Sequence, residues 1–213
     1  MSNSIPIIIS VISGFFLFQF FYWRRLKEDY SPALIFASST YILIGIVLGE
    51  VVYFILRSKI SDSSIIHPGE MWLWLGLGGA YLGFIASVRS LHLRYYESFE
   101  AVSIGMLLWM LLISLVAFLF QKNMVALSYS IVITVLLAFF YYFEGRYRRF
   151  SWYKSGRVGF SGLAVLSLFF IYKFIAYFIF NSGFGVSGKV DTVLSATTVF
   201  LLMFSLYNLS QDY

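Results

Sequence analysis

Seven runs of this chain are apolar for the roughly 20 residues needed to cross a bilayer, and little separates them but short loops. They are Ile5–Trp23, Ala33–Leu56, Met71–Val88, Ala101–Phe120, Met124–Phe143, Val158–Phe180 and Val190–Leu209. Hydrocarbon offers no water to satisfy backbone N–H and C=O groups, so such runs must be helices or strands of a closed barrel. Barrel strands alternate in polarity, and these runs are continuously apolar. The chain therefore reads as all-α, a polytopic membrane helix bundle with about seven transmembrane helices, forming a single integral membrane domain over 1–213. Composition agrees: 60% of residues are hydrophobic and only 12% charged, about half the charge of a soluble domain. Cysteine is absent, which excludes disulfides, a thiol nucleophile and thiolate metal sites. The start, MSNSIPIII, lacks the basic region of a secretory signal and is expected to be an uncleaved first span.

The net charge of +5 follows membrane side rather than a nucleic-acid surface. Loops after the first, third and fifth runs carry Arg24, Arg25 and Lys27, then Arg89 and Arg94, then Arg146, Arg148, Arg149, Lys154 and Arg157. The alternate loops carry only Arg57, Lys59, Lys122 and Lys189. The basic side is expected to be cytoplasmic, which puts the N-terminus outside and the C-terminus inside. Tyr22, Trp23, Trp72, Trp74, Tyr141 and Tyr142 fall near the ends of runs and are expected as interfacial anchors.

The third run, WLWLGLGGAYLGFIASVR, holds Gly76, Gly78, Gly79 and Gly83. Each glycine inside a soluble helix costs about 1 kcal/mol relative to alanine, so their accumulation needs a reason. Gly79, Gly83 and Ser87 recur at every fourth position and make a notch for close helix approach. Gly45 and Gly49 repeat that spacing in the second run. Gly45, Gly49, Gly78, Gly79 and Gly83 are the expected helix-packing residues.

Ionisable residues inside spans are costly and mark function or a buried pair. Glu50 and Lys173 are the two that lie well within runs, both in the half away from the basic loops. A Glu50–Lys173 ion pair would neutralise both; alternatively, Lys173 holds a lipid phosphate, or the two do not meet and Glu50 is protonated. Other polar residues read more plainly. His67, beside Pro68, and His92 lie in loops on opposite sides, too far apart to share a metal. Glu97 and Glu100 precede the fourth run, where negative charge favours a helix N-terminus. The stretch EGRYRRFSWYKSGR, Glu144–Arg157, reads as a membrane-surface anchor. No Ser/His/Asp set, phosphate loop or HExxH is present. No metal, cofactor or nucleic-acid partner is expected.

Three segments resemble the prolipoprotein diacylglyceryl transferase family. The second run, Ile44-Gly45-Ile46-Val47-Leu48-Gly49-Glu50-Val51-Val52-Tyr53-Phe54, is similar to the family's I-G-A-R-L-G-Y-V-L-F-Y. In the third, Leu77-Gly78-Gly79-Ala80-Tyr81-Leu82-Gly83 resembles the family's His-Gly-Gly stretch. In the sixth, Gly156-Arg157-Val158 and later Lys173-Phe174-Ile175-Ala176-Tyr177 resemble an opening Gly-x-V/F and an R-F-x-x-E. The resemblance implies a seven-span bacterial cytoplasmic membrane enzyme with its N-terminus outside. Such enzymes transfer a diacylglyceryl group from phosphatidylglycerol to the lipobox cysteine of a prelipoprotein.

The departures fall on the family's polar positions. Its second-run Arg is Val47, its His is Leu77, its sixth-run Arg and Glu are Lys173 and Tyr177, and the fourth run lacks its Arg and Asn. Transfer needs donors for the headgroup and a base for the thiol. Lys173 keeps a charge without the planar fork of Arg. The expectation is a lipid-handling protein of transferase-like fold whose catalytic positions are lost. Glu50, Lys173 and Tyr177 would line a lipid-accessible pocket where spans 2, 3 and 6 converge. Expected partners are a membrane phospholipid such as phosphatidylglycerol, prelipoprotein signal peptides, or another membrane protein. Rival expectations are a non-enzymatic assembly protein that binds partner helices through the notches, and a small transporter.

Overall fold

The computed structural model describes residues 4–59, 72–150, 153, 158–180 and 189–211. Among them are seven α-helices: α1 Ser4–Leu26, α2 Pro32–Lys59, α3 Trp72–Leu91, α4 Tyr95–Gln121, α5 Met124–Phe143, α6 Phe160–Phe180 and α7 Lys189–Ser210. A short 3₁₀ turn covers Arg146–Arg149. Five helices, α2 and α4 to α7, are long and apolar enough to cross a bilayer.

The outer surface is apolar. Phe54, Leu82 and Phe200 are 63%, 69% and 71% exposed, while Ser38, Ser87, Ser98 and Ser114 are fully buried. A water-soluble monomer does not expose apolar patches on this scale; a helical membrane bundle does.

Successive helices run antiparallel, and paired contacts fix the register. On α2 and α3, a side chain on Gly45 would strike the Gly79 carbonyl, and one on Gly79 would strike the Gly45 carbonyl. Gly49 lies against the Leu75 carbonyl, and Gly83 against that of Tyr41. Backbone thus meets backbone along two facing small-residue stripes. The line continues to Ser38, which donates to Ser87 at 3.0 Å and bonds the Tyr22 hydroxyl at 2.7 Å, tying in α1. Tyr22 is therefore a core residue rather than the expected interfacial anchor, because its hydroxyl has a buried partner.

The α1–α4 pair uses aromatic knobs instead. Trp109 fills the space beside Gly14, and Phe18 the space beside Gly105. The α4–α5 hairpin closes in two residues. Lys122 takes a left-handed conformation and donates its N–H to Phe118, and the Asn123 side chain caps α5 by accepting from Val125 and Ala126. Helix α4 begins at Tyr95, six residues ahead of the expected span, so Glu97 and Glu100 lie within the helix rather than before it.

Helix α6 follows Gly159, whose φ of +106° suits glycine and whose backbone abuts Tyr96. It then packs on α5 and α7. Helix α6 also packs on α4. Because α3 packs tightly on α2 but only lightly on α4, space remains between α3 and α7.

Candidate functional site

Lys173 does not meet Glu50. Its ammonium donates to Asp191 Oδ1 at 2.6 Å, and both side chains are 2% exposed. Lys173 lies seven residues before the end of α6, and Asp191 sits in the first turn of α7. Trp74 Nε1 also donates to Asp191 Oδ1, at 2.6 Å. The Trp74 ring stacks on Phe170 at 5.7 Å and carries the Lys173 ammonium 5.8 Å from its centre. The aspartate is thus shared by α3, α6 and α7. Trp74 is held by this triad and is not a free interfacial anchor. Asp191 is the functional neighbour that sequence reasoning missed; its signal was a second charge at the same end of a helical hairpin.

Glu50 is half-buried on α2, and its Oε1 would lie 2.9 Å from a side chain placed on Gly76. It faces α3, not α6. Tyr177 is half-buried, with its ring against Phe178.

The space between α3 and α7 is a lateral cavity of about 510 Å³. Its walls come from α3, α4, α6 and α7, not from spans 2, 3 and 6 as expected, and Glu50, Lys173 and Tyr177 do not line it. Trp74 and Phe170 form one end; Tyr81, Tyr95 and Tyr96 form the other. From Trp74 to Phe84 the α3 wall runs ten residues, about 15 Å. Gly78 belongs to this surface. Nothing lies within 4 Å of where its side chain would be, so it is not a packing glycine. Leu77 is also in the wall. Val47, at the position of the second-run Arg, is 54% exposed on the outer face.

The lining is chemically quiet. Ser103, Thr198 and Ser205 return their hydroxyls to carbonyls four residues back in their own helices. The Tyr81 and Tyr95 hydroxyls, 3.3 Å apart, link α3 to α4, and Trp74 links α3 to Asp191 of α7. No carboxylate, imidazole, ammonium or guanidinium is among the described lining residues. Such a lining offers mainly apolar contact surface.

A second polar centre lies at the opposite end of the bundle. Arg25 donates to Glu100 at 2.9 Å and also to Glu144, joining α1, α4 and the end of α5. Ser161 on α6 donates to the same Glu100 oxygen at 3.4 Å. In the adjoining basic stretch, Tyr147 and Tyr153 are buried against Phe160, so this segment packs on the bundle as well as carrying charge. His92 is exposed, with a φ of 52°, in the α3–α4 turn. His67 and Arg157 lie outside the described residues. No group of three or more potential metal ligands occurs among the described residues. Comparison with protein-family models, curated proteins and solved structures returns no match for this chain.

Proposed function

We propose that this chain is a lipid-handling membrane protein of diacylglyceryl-transferase-like architecture that accommodates lipid chains in its lateral cavity without catalysing transfer. In this reading α1 and α3 cross the bilayer with the other five helices. The Arg-rich loops face the cytoplasm of a bacterial cell, and the N-terminus lies outside. The observation that carries the reading is the apolar cavity walled by Leu77 and Gly78, the segment that resembles the family's His-Gly-Gly. Its size falls within the usual range for small-molecule sites, about 300–1,000 Å³. The predominantly apolar lining supports accommodation of lipid chains. Phosphatidylglycerol is the proposed lipid class, on the resemblance.

The rival reading, docking of partner helices in the glycine notch, lacks a surface, because α2 already occupies the notch of α3. Complementation tests the chemistry. In a strain depleted of its diacylglyceryl transferase, expression of this chain is expected to leave the lipoprotein gel shift unrescued. Rescue would overturn the non-catalytic assignment. Failure of the delipidated protein to take up phospholipid would overturn lipid handling itself.

A further inference from the structure

Helices α1 and α5 both pack on α4 but scarcely on each other. Between them, at the Arg25 end, lies a separate cavity of about 420 Å³. Its apolar lining residues are Phe21 from α1, Ile104 from α4 and Phe140 from α5, with Tyr141 beside them. Its rim is charged with both signs: Arg24, Arg25, Glu28 and Glu144. Arg25 is already engaged by Glu100 and Glu144. Arg24 and Glu28 have no hydrogen-bond or ion-pair partner among the described residues, and both are exposed. They follow Trp23 at the end of α1, and Glu144 follows the end of α5, so the rim lies where an apolar span meets polar headgroups.

We propose that this cleft binds the headgroup of an amine-bearing zwitterionic phospholipid of the phosphatidylethanolamine class. Its phosphate would lie on Arg24 and its ammonium between Glu28 and Glu144, with the glycerol and first methylenes over Phe21, Ile104 and Phe140. Charge complementarity selects the class. An anionic phosphoglycerol headgroup would satisfy Arg24 and leave the Glu28 carboxylate facing it uncompensated, Glu144 being already paired with Arg25. A choline headgroup has the right charges but no N–H to donate, whereas a primary ammonium has three. The site is distinct from the α3–α7 cavity, so the two proposals stand or fall separately.

The test uses the delipidated full chain in detergent and native mass spectrometry with chain-matched phosphatidylethanolamine, phosphatidylcholine and phosphatidylglycerol. In the component of binding that Arg24→Gln removes, phosphatidylethanolamine is expected to bind at least about tenfold more tightly than the other two; phosphatidylglycerol held in the α3–α7 cavity is not expected to respond to that substitution. Glu28→Gln is expected to abolish its advantage over phosphatidylcholine, and Arg24→Gln to weaken both zwitterionic lipids. Both side chains are exposed, so the variants should keep the parent melting temperature. An Arg24-dependent component of equal affinity for the three lipids, one that prefers phosphatidylglycerol, or a phosphatidylethanolamine advantage that survives Glu28→Gln would overturn the proposal.

Discussion

The most consequential single residue is Asp191, because it receives Lys173 and Trp74 together. Removing one member of a buried ion pair leaves an uncompensated charge and costs about 3–5 kcal/mol, whereas replacing both with apolar groups is often near neutral. Lys173→Met and Asp191→Leu are each expected to lower the unfolding midpoint strongly, and the double variant to recover most of the loss. Additive losses in a denaturant-melt cycle would contradict the pairing. Glu50→Gln should add independently to Lys173→Met, since Glu50 faces Gly76 on α3. Lys173 was legible in the sequence as a costly residue in need of a partner. Its partner was not, because Asp191 sits at the second position of an apolar run, where a charge looks like a boundary. Only the α6–α7 geometry brings the two to one depth.

Among elements, the α2–α3 pair shows how far spacing can be read. Gly45, Gly49, Gly79 and Gly83 were visible as repeats of every fourth residue, and they are the places where the two backbones touch. Gly45→Ala, Gly79→Ala and Gly83→Ala each force a methyl onto a partner carbonyl, and each is expected to cost about 1–3 kcal/mol as overpacking. Gly78→Ala meets nothing within 4 Å and should gain up to about 1 kcal/mol from helix propensity. Thermal melts of the four variants check this; a Gly78→Ala loss equal to the others would contradict the assignment. Adjacent helix residues point about 100° apart, so Gly78 faces the cavity while Gly79 faces α2. The glycine content revealed that a close approach exists, but the face of each glycine had to come from the helix pair. The same limit applies to Tyr22, whose place near the end of a run looked interfacial until Ser38 supplied a buried partner.

For the whole molecule, the helical membrane architecture and the apolar exterior were legible because lipid leaves so few choices of secondary structure; of the seven described helices, five are long and apolar enough to span. The lateral cavity was not, since it is the space left where α3 stays with α2 and α7 stays with α6. No residue motif encodes such a gap. Lipid chains in that gap are the central claim, and photolabelling tests it most directly. Purified full-length protein would be loaded with phosphatidylglycerol carrying a diazirine within one acyl chain, washed of loosely held lipid, irradiated and mapped by peptide mass spectrometry. The account predicts adducts concentrated on the cavity wall, at Tyr81, Met106, Met110 and Leu201, and their loss in Gly78→Trp. Adducts spread evenly over outward faces around Val47, Phe54 and Phe200, unchanged by Gly78→Trp, would contradict it.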